Sequence, residues 1–121
     1  MEFTFFCYAR CSTCRKAKDY LDEKGIAYNY REITEQTPTV EELTEWVGRG
    51  DYSLKAFFNT SGRSYRELGL KDRLSALSEA EQIQMLAADG MLIKRPILVS
   101  PSVLLVGFKA KEWERLNGPA A

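Results

Sequence analysis

The strongest constraint on the fold lies in the first 25 residues, where an apolar run passes into a helix across two cysteines three positions apart. EFTFFCY, residues 2–8, is dense in aromatic and apolar side chains and is predicted as a buried strand. STCRKAKDYLDEK, residues 12–24, is predicted as a helix, and Gly25 is placed to end it in a left-handed C′ conformation. Cys14, Ala17 and Leu21 fall on one face of that helix at i, i+3, i+7, so that face should pack on the sheet. IAYNYREI, residues 26–33, is predicted as a second strand. Strand, helix and strand in this order imply two parallel strands joined by a right-handed crossover.

The middle of the chain reads as helical. TVEE, Thr39 to Glu42, fits a capping box, and Val40, Leu43 and Val47 then form an apolar stripe. SLKAFF and SYRELGLKDRLSAL read as short helical pieces. SEAE, Ser78 to Glu81, is a second capping box, opening a helix with Ile83, Leu86 and Ala87 inward and a stop at Asp89-Gly90. PILVS and VLLVGF are then predicted as strands of a hairpin turned by SPS, and KAKEWERLN as a closing helix. The order β-α-β, helical block, β-β-α gives an α/β fold with a mixed four-stranded sheet. A CxxC that follows the first strand and opens the first helix within that order points to a thioredoxin-like fold.

A length of 121 residues suits a single domain over 1–121, with about 35–92 as a helical insertion. Lys+Arg and Asp+Glu both number 17, a balance that argues against a general nucleic-acid-binding surface. No apolar run reaches the roughly 20 residues of a membrane span, and MEFTFFCYAR lacks the basic region and cleavage site of a signal peptide. The expected setting is cytoplasmic, where thiols are kept reduced and a close pair serves redox or metal chemistry rather than stapling. Histidine is absent, which excludes a Ser–His–Asp triad, a Cys–His dyad and any His-ligated metal.

The three cysteines, Cys7, Cys11 and Cys14, admit several readings. A structural zinc takes four Cys or His ligands, so a site here would need a carboxylate or water. The C-x3-C-x2-C spacing also occurs in radical S-adenosylmethionine enzymes, which are far longer than this chain. Cys7, inside the apolar run, is expected to be a small core hydrophobe. Cys11, just before the helix, is expected to be the exposed nucleophile, its thiolate favoured by the free N–H groups and dipole of the first turn and by the flanking Arg10 and Arg15. Cys14 is expected to be more buried and to act as the resolving thiol, the spacing allowing a disulfide within one helical turn. Arg95 precedes Pro96 at the entrance to the third strand. In a thioredoxin-like fold that loop lies beside the CxxC and its proline is commonly cis, although a proline that simply opens a strand reads the same way in sequence. Arg95 is expected to project toward Cys11 and to bind an oxyanion or polarise a thiolate. Trp46 and Trp113 are expected to be packing residues, VGRGDY a helix end and turn, and Lys71, Asp72 and Arg73 an exposed turn.

The strand–CxxC-R–helix start, SLKAFFNTSGRSYRELGLKD, DGMLIKRPILV and the VGF before the closing helix together resemble the arsenate reductase-related (ArsC/Spx/YffB-like) family over nearly the whole chain. The resemblance implies a thioredoxin-like domain with a helical insertion. In the family's arsenate reductases one cysteine attacks arsenate and three arginines bind it. Carried over, Cys11 matches the nucleophile, Arg95 the arginine of the RP pair, and Lys55 stands in place of a second arginine. The third position falls near Phe108, with Lys109 the nearest cation. Lysine keeps the charge but lacks the bidentate fork, and phenylalanine carries no charge, so the oxyanion site implied is weaker than in the reductases. The resulting expectation is a cytoplasmic thiol–disulfide oxidoreductase, arsenate reductase-like. Its catalytic residues would be Cys11, Cys14 and Arg95, supported by Lys55, Arg15 and Pro96. It would carry no metal and no bound cofactor, and glutathione, glutaredoxin or thioredoxin would be its external reductant and partner. The CxxC and the VGF ending also resemble the Spx-like branch, which implies an alternative: a redox-sensing regulator that binds the C-terminal domain of the RNA polymerase α subunit, without direct nucleic-acid or membrane contact.

Overall fold

Along the chain the elements are β1 (Thr4–Cys7), α1 (Ser12–Glu23), β2 (Asn29–Glu32), α2 (Val40–Gly48), α3 (Arg63–Glu67), α4 (Leu70–Arg73), α5 (Glu79–Ala88), β3 (Ile97–Val99), β4 (Leu104–Val106) and α6 (Ala110–Trp113). The structure, a computed structural model, describes residues 3–116. They fall into two units, one of the residues up to Glu32 with those from Arg95 onward, the other of Ile33–Lys94.

The first unit holds a four-stranded sheet in the order β2-β1-β3-β4. β1 runs parallel to β2 and antiparallel to β3, and β3 pairs antiparallel with β4. β1 is an inner strand, which accounts for apolar residues on both its faces: Phe5 and Phe6 are wholly buried. Strand alternation sends Phe3, Phe5 and Cys7 to one face, where they meet Cys14, Ala17 and Leu21 of α1 together with Leu98, Leu105 and Trp113. The predicted apolar face of α1 is therefore the one that is buried. Gly25 ends the helix at φ +68, and the Ile26 N–H closes the turn on the Leu21 carbonyl at 3.0 Å. β2 begins at Asn29, later than expected. As the edge strand it keeps Asn29 and Tyr30 exposed, while Tyr28 turns its ring edge-on to Phe5 at 5.1 Å.

The SPS segment does turn the β3–β4 hairpin. Ser100 Oγ accepts from the Val103 N–H at 3.0 Å, and the Ser100 N–H donates to the Val103 carbonyl at 2.8 Å. The closing segment is not one helix. α6 ends at Trp113 and a 3-10 turn follows over Glu114–Leu116, while Asn117 of the expected helix lies outside the described residues. Trp113 is buried and donates Nε1–H to the Gly107 carbonyl at 3.0 Å.

The second unit is helical. Both predicted capping boxes form: Thr39 with Glu42 opens α2, and Ser78 with Glu81 opens α5. On α2 the buried pair is Leu43 and Trp46, with Val47 half-buried, whereas Val40 is exposed. The bulk of Trp46 centres the buried face and leaves Val40, in the first turn, at its solvent edge. SLKAFF forms a short helical piece, a 3-10 turn over Leu54–Phe57, and Phe58 bridges to Ile93 as an isolated β-pair. SYRELGLKDRLSAL breaks at Gly69, whose φ of +64 separates α3 from α4, and Leu74–Ala76 is a further 3-10 turn. On α5 Ile83 and Leu86 are buried and Ala87 is half-buried. Gly90 follows Asp89 as expected, but for a tertiary reason: a Cβ there would run into the Ile33 carbonyl. Among the described residues no helix is long and apolar enough to cross a membrane.

Candidate functional site

The site begins where β1 hands the chain to α1. Cys7 is the last residue of β1, Cys11 is the N-cap of α1, and Cys14 lies in its first turn. The turn between them is fixed by the Cys11 N–H donating to the Tyr8 carbonyl at 2.9 Å and the Arg15 N–H to the Cys11 carbonyl at 3.1 Å. All three cysteines are free thiols. Cys7 and Cys14 are buried; Cys11 is half-buried and is the most accessible of the three. The Cys11 side chain accepts no capping hydrogen bond from the first-turn amides.

Stabilisation of negative charge converges instead on Cys14. Its Sγ accepts the Tyr8 N–H at 3.4 Å. A side-chain hydrogen bond from Cys7 is the largest influence on Cys14. With the Tyr8 amide, a hydrogen bond from Cys11 and the field of Arg95, it outweighs burial and brings the Cys14 thiol down to about 7. Cys7 goes the other way: burial first, then its bond to Cys14 and the charge there, push its thiol far above the ordinary range. Cys7 is the buried core residue expected from sequence, and it packs in the same cluster as Cys14. The signal for this was legible in the alternation of Phe3, Phe5 and Cys7, which aims Cys7 at the helix face carrying Cys14.

A cavity of about 280 Å³ opens against these sulfurs. Phe5, Tyr8 and Tyr30 give it apolar walls, Cys7 and Cys14 supply thiols, and Arg15 and Lys18 bring positive charge. Lys18 is paired with Asp22 at 2.8 Å. Glu32 closes the end of β2 on the turn, accepting from the Tyr30 hydroxyl at 2.9 Å and the Ala9 N–H at 3.3 Å. Burial and that bond to Glu32 raise the Tyr30 hydroxyl pKa.

The Arg95-Pro96 peptide is cis, and Pro96 is buried, its carbonyl accepting the Gly107 N–H at 2.7 Å. The Arg95 guanidinium lies 5.2 Å from the centre of the Tyr8 ring. Its Nε and Nη1 are buried and make no hydrogen bond. Its positive charge helps lower the Cys14 pKa. The first unit therefore gathers Cys11, Cys14, Arg95, Pro96 and Arg15 around one turn, and adds Cys7 and Tyr8, which sequence reasoning did not select. Lys55 is exposed in the second unit, on an open cleft of about 540 Å³ shared with Thr60, Tyr65, Arg66, Lys71 and Asp72. Phe108 stands edge-on to Trp113 at 5.0 Å and to Tyr20 at 5.9 Å, an aromatic packing position. Lys109 beside it is exposed at the N-cap of α6. Gly48 closes α2 and Gly50 turns the chain at φ +81. Among the described residues no group of three or more His, Cys, Asp or Glu is arranged to hold a metal ion.

With this geometry in place, comparison with known proteins is direct. The ArsC family model matches residues 6–116. The chain belongs to the ArsC family. Within the family it is 49% identical to the uncharacterised YusI of Bacillus subtilis over 114 residues, covering 94% of this chain and 97% of YusI. It is 28% identical to the regulatory protein MgsR of the same organism, covering 96% of this chain and 90% of MgsR. The crystal structure of an ArsC-family-related protein from Bacteroides fragilis superposes with a TM-score of 0.92 at 48% identity, covering 96% of this chain and 98% of that one. Structures of arsenate reductases and transcriptional regulators named Spx are both among the matches. The thioredoxin-like fold is thus that of the family, with the CxxC of this ArsC-family chain at the start of α1.

Proposed function

We propose that this protein is a thiol–disulfide oxidoreductase of the arsenate reductase-related kind, with Cys11 as nucleophile and Cys14 as resolving thiol. One observation carries the reading: the more accessible sulfur sits at the N-cap of α1, and a second, buried sulfur that accepts the Tyr8 N–H lies in the first turn of the same helix. With a disulfide substrate, the Cys11 thiolate attacks one sulfur and expels the other half as thiolate. Cys14 then attacks Cys11 Sγ, the second thiolate leaves, and Cys11–Cys14 remains as a disulfide. With arsenate, Cys11 displaces an oxygen as water. Cys14 attacks Cys11 Sγ, and arsenic leaves with the electron pair as arsenite. In either case thioredoxin, glutaredoxin or glutathione restores the dithiol. A resolving thiolate must be ionised to attack, and a pKa of about 7 leaves a large fraction of Cys14 ready at neutral pH.

Arg95 supports the reading through its unpartnered Nε and Nη1. Buried guanidinium nitrogens that make no hydrogen bond are costly and suit a bound oxyanion or a departing thiolate. Pro96 fixes the loop that carries it, and Arg15 adds positive charge at the cavity. The reaction needs neither a metal nor a bound organic cofactor, and its reducing partners belong to the cytoplasm. The test is a reductant-coupled assay with arsenate and with model disulfides. Cys11→Ser is expected to abolish turnover, and Cys14→Ser to halt it at a trapped mixed disulfide. Full turnover by Cys11→Ser would refute the nucleophile assignment.

The similarity to MgsR and Spx supports a second reading, a redox-sensing regulator that binds the C-terminal domain of the RNA polymerase α subunit. Pull-down with that domain, from oxidised and reduced protein, separates the two.

A further inference from the structure

We propose that Cys7 is a positioning residue of the thiol centre: its buried S–H, at the end of β1, donates to Cys14 Sγ and keeps that sulfur the common acceptor of the set. The proposal rests on the reading of Cys14 as resolving thiol, but its test reads the sulfurs directly and needs no turnover.

Three observations converge. Strand alternation places Cys7 on the face that meets Cys14 within one core cluster. Both sulfurs line the same cavity. Cys14 Sγ already accepts the Tyr8 N–H at 3.4 Å, so a thiol donor from Cys7 adds to an amide donor on one atom. A neutral thiol is a weak acceptor, whereas a thiolate takes several donors well, so this arrangement favours the ionised form of Cys14. Cys7 fits the donor role because its surroundings are dry: β1 is an inner strand and Cys7 is 2% exposed, which disfavours its own ionisation. If Cys7 were a packing residue alone, any small apolar side chain would serve equally.

The charged and titratable groups around Cys14 come from every neighbouring element of its unit. Cys7 and Tyr8 belong to β1 and the turn after it, Cys11 to the start of α1, Tyr30 to β2 and Arg95 to the loop before β3. Arg15 and Lys18, from α1 itself, share the cavity. Among these, Cys7 is the dominant influence on Cys14. A resolving thiol kept ionised in this way would cut short the lifetime of the adduct on Cys11.

The test is iodoacetamide alkylation of the reduced full-length chain across pH, with each cysteine followed by mass spectrometry, in wild type, Cys7→Ala and Cys7→Ser. Wild-type Cys14 is expected to react with a midpoint of about 7. Cys7→Ala should move that midpoint toward the ordinary 9.0, and a full return would lower the thiolate fraction at pH 7 about fiftyfold. Cys7→Ser retains a donor and should stay close to wild type. An unchanged midpoint in Cys7→Ala overturns the proposal, as does a Cys7→Ser midpoint that rises with it. Raman spectroscopy of the wild type makes the test independent of variant folding. One buried S–H stretch should persist after Cys14 has titrated, and its loss together with Cys14 would also overturn the proposal. Should the oxidoreductase reading fail instead, turnover would be absent while these midpoints held.

Discussion

At Cys14 two effects oppose each other. Burial in the core raises the cost of a charged sulfur, while donors from Cys7, Tyr8 and Cys11 and the nearby Arg95 lower it, and the donors win. Because its folded value of about 7 lies below the ordinary 9.0, ionised Cys14 favours the folded state. Its contribution is present above 9.0, where the thiol of the unfolded chain is also ionised, and is lost as pH falls through about 7. Cys7, raised instead, contributes stability below the ordinary thiol value and loses it at higher pH. Under reducing conditions, urea unfolding should therefore show wild type gaining stability between about 7 and 9.0, a gain that Cys14→Ser lacks. Equal slopes for the two proteins would contradict the assignment of the thiolate. The pair Cys11 and Cys14 could be read from the sequence because the helix start is local. The partners of Cys14 could not, because Arg95 lies 81 positions away and reaches Tyr8 only through the tertiary fold.

Among the elements, α2 and α5 start where four-residue signatures placed them. Each box satisfies two amides that the first turn leaves open: Thr39 Oγ1 accepts the Glu42 N–H at 3.1 Å and Ser78 Oγ the Glu81 N–H at 3.1 Å. Thr39→Ala and Ser78→Ala should each cost about 1 kcal/mol of stability by urea titration, while Thr39→Ser and Ser78→Thr remain near neutral. A loss confined to a few tenths in both alanine variants would show that the caps are replaced by water. The helix faces were less legible than the starts. Val40 fits the i, i+3, i+7 stripe yet is exposed, because the pattern does not weigh Trp46 against a valine of the first turn. The segment 64–77 reads as short helical pieces, and the left-handed Gly69 sets the break between α3 and α4.

For the molecule as a whole, equal numbers of cations and anions leave no net field to draw in a polyanion. Fluorescence anisotropy with a random duplex at low salt should give binding weaker than roughly 100 μM. Micromolar affinity that falls with added salt would require a local basic surface and would revise the picture of its partners. Regulators and arsenate reductases share this fold, so function is argued from the site rather than from the family. The sequence by itself determined the order of elements, the burial of β1, the starts of α2 and α5 and the CxxC at the mouth of α1. These follow from periodicity and from signals spanning only a few neighbouring residues. The tertiary structure decided which groups from distant segments surround Cys14, that Phe108 belongs to an aromatic cluster, and that Gly90 must lack a side chain. Each of those depends on atoms brought together from distant segments, where hydrogen bonds and fields act over a few ångströms and sequence separation has no meaning.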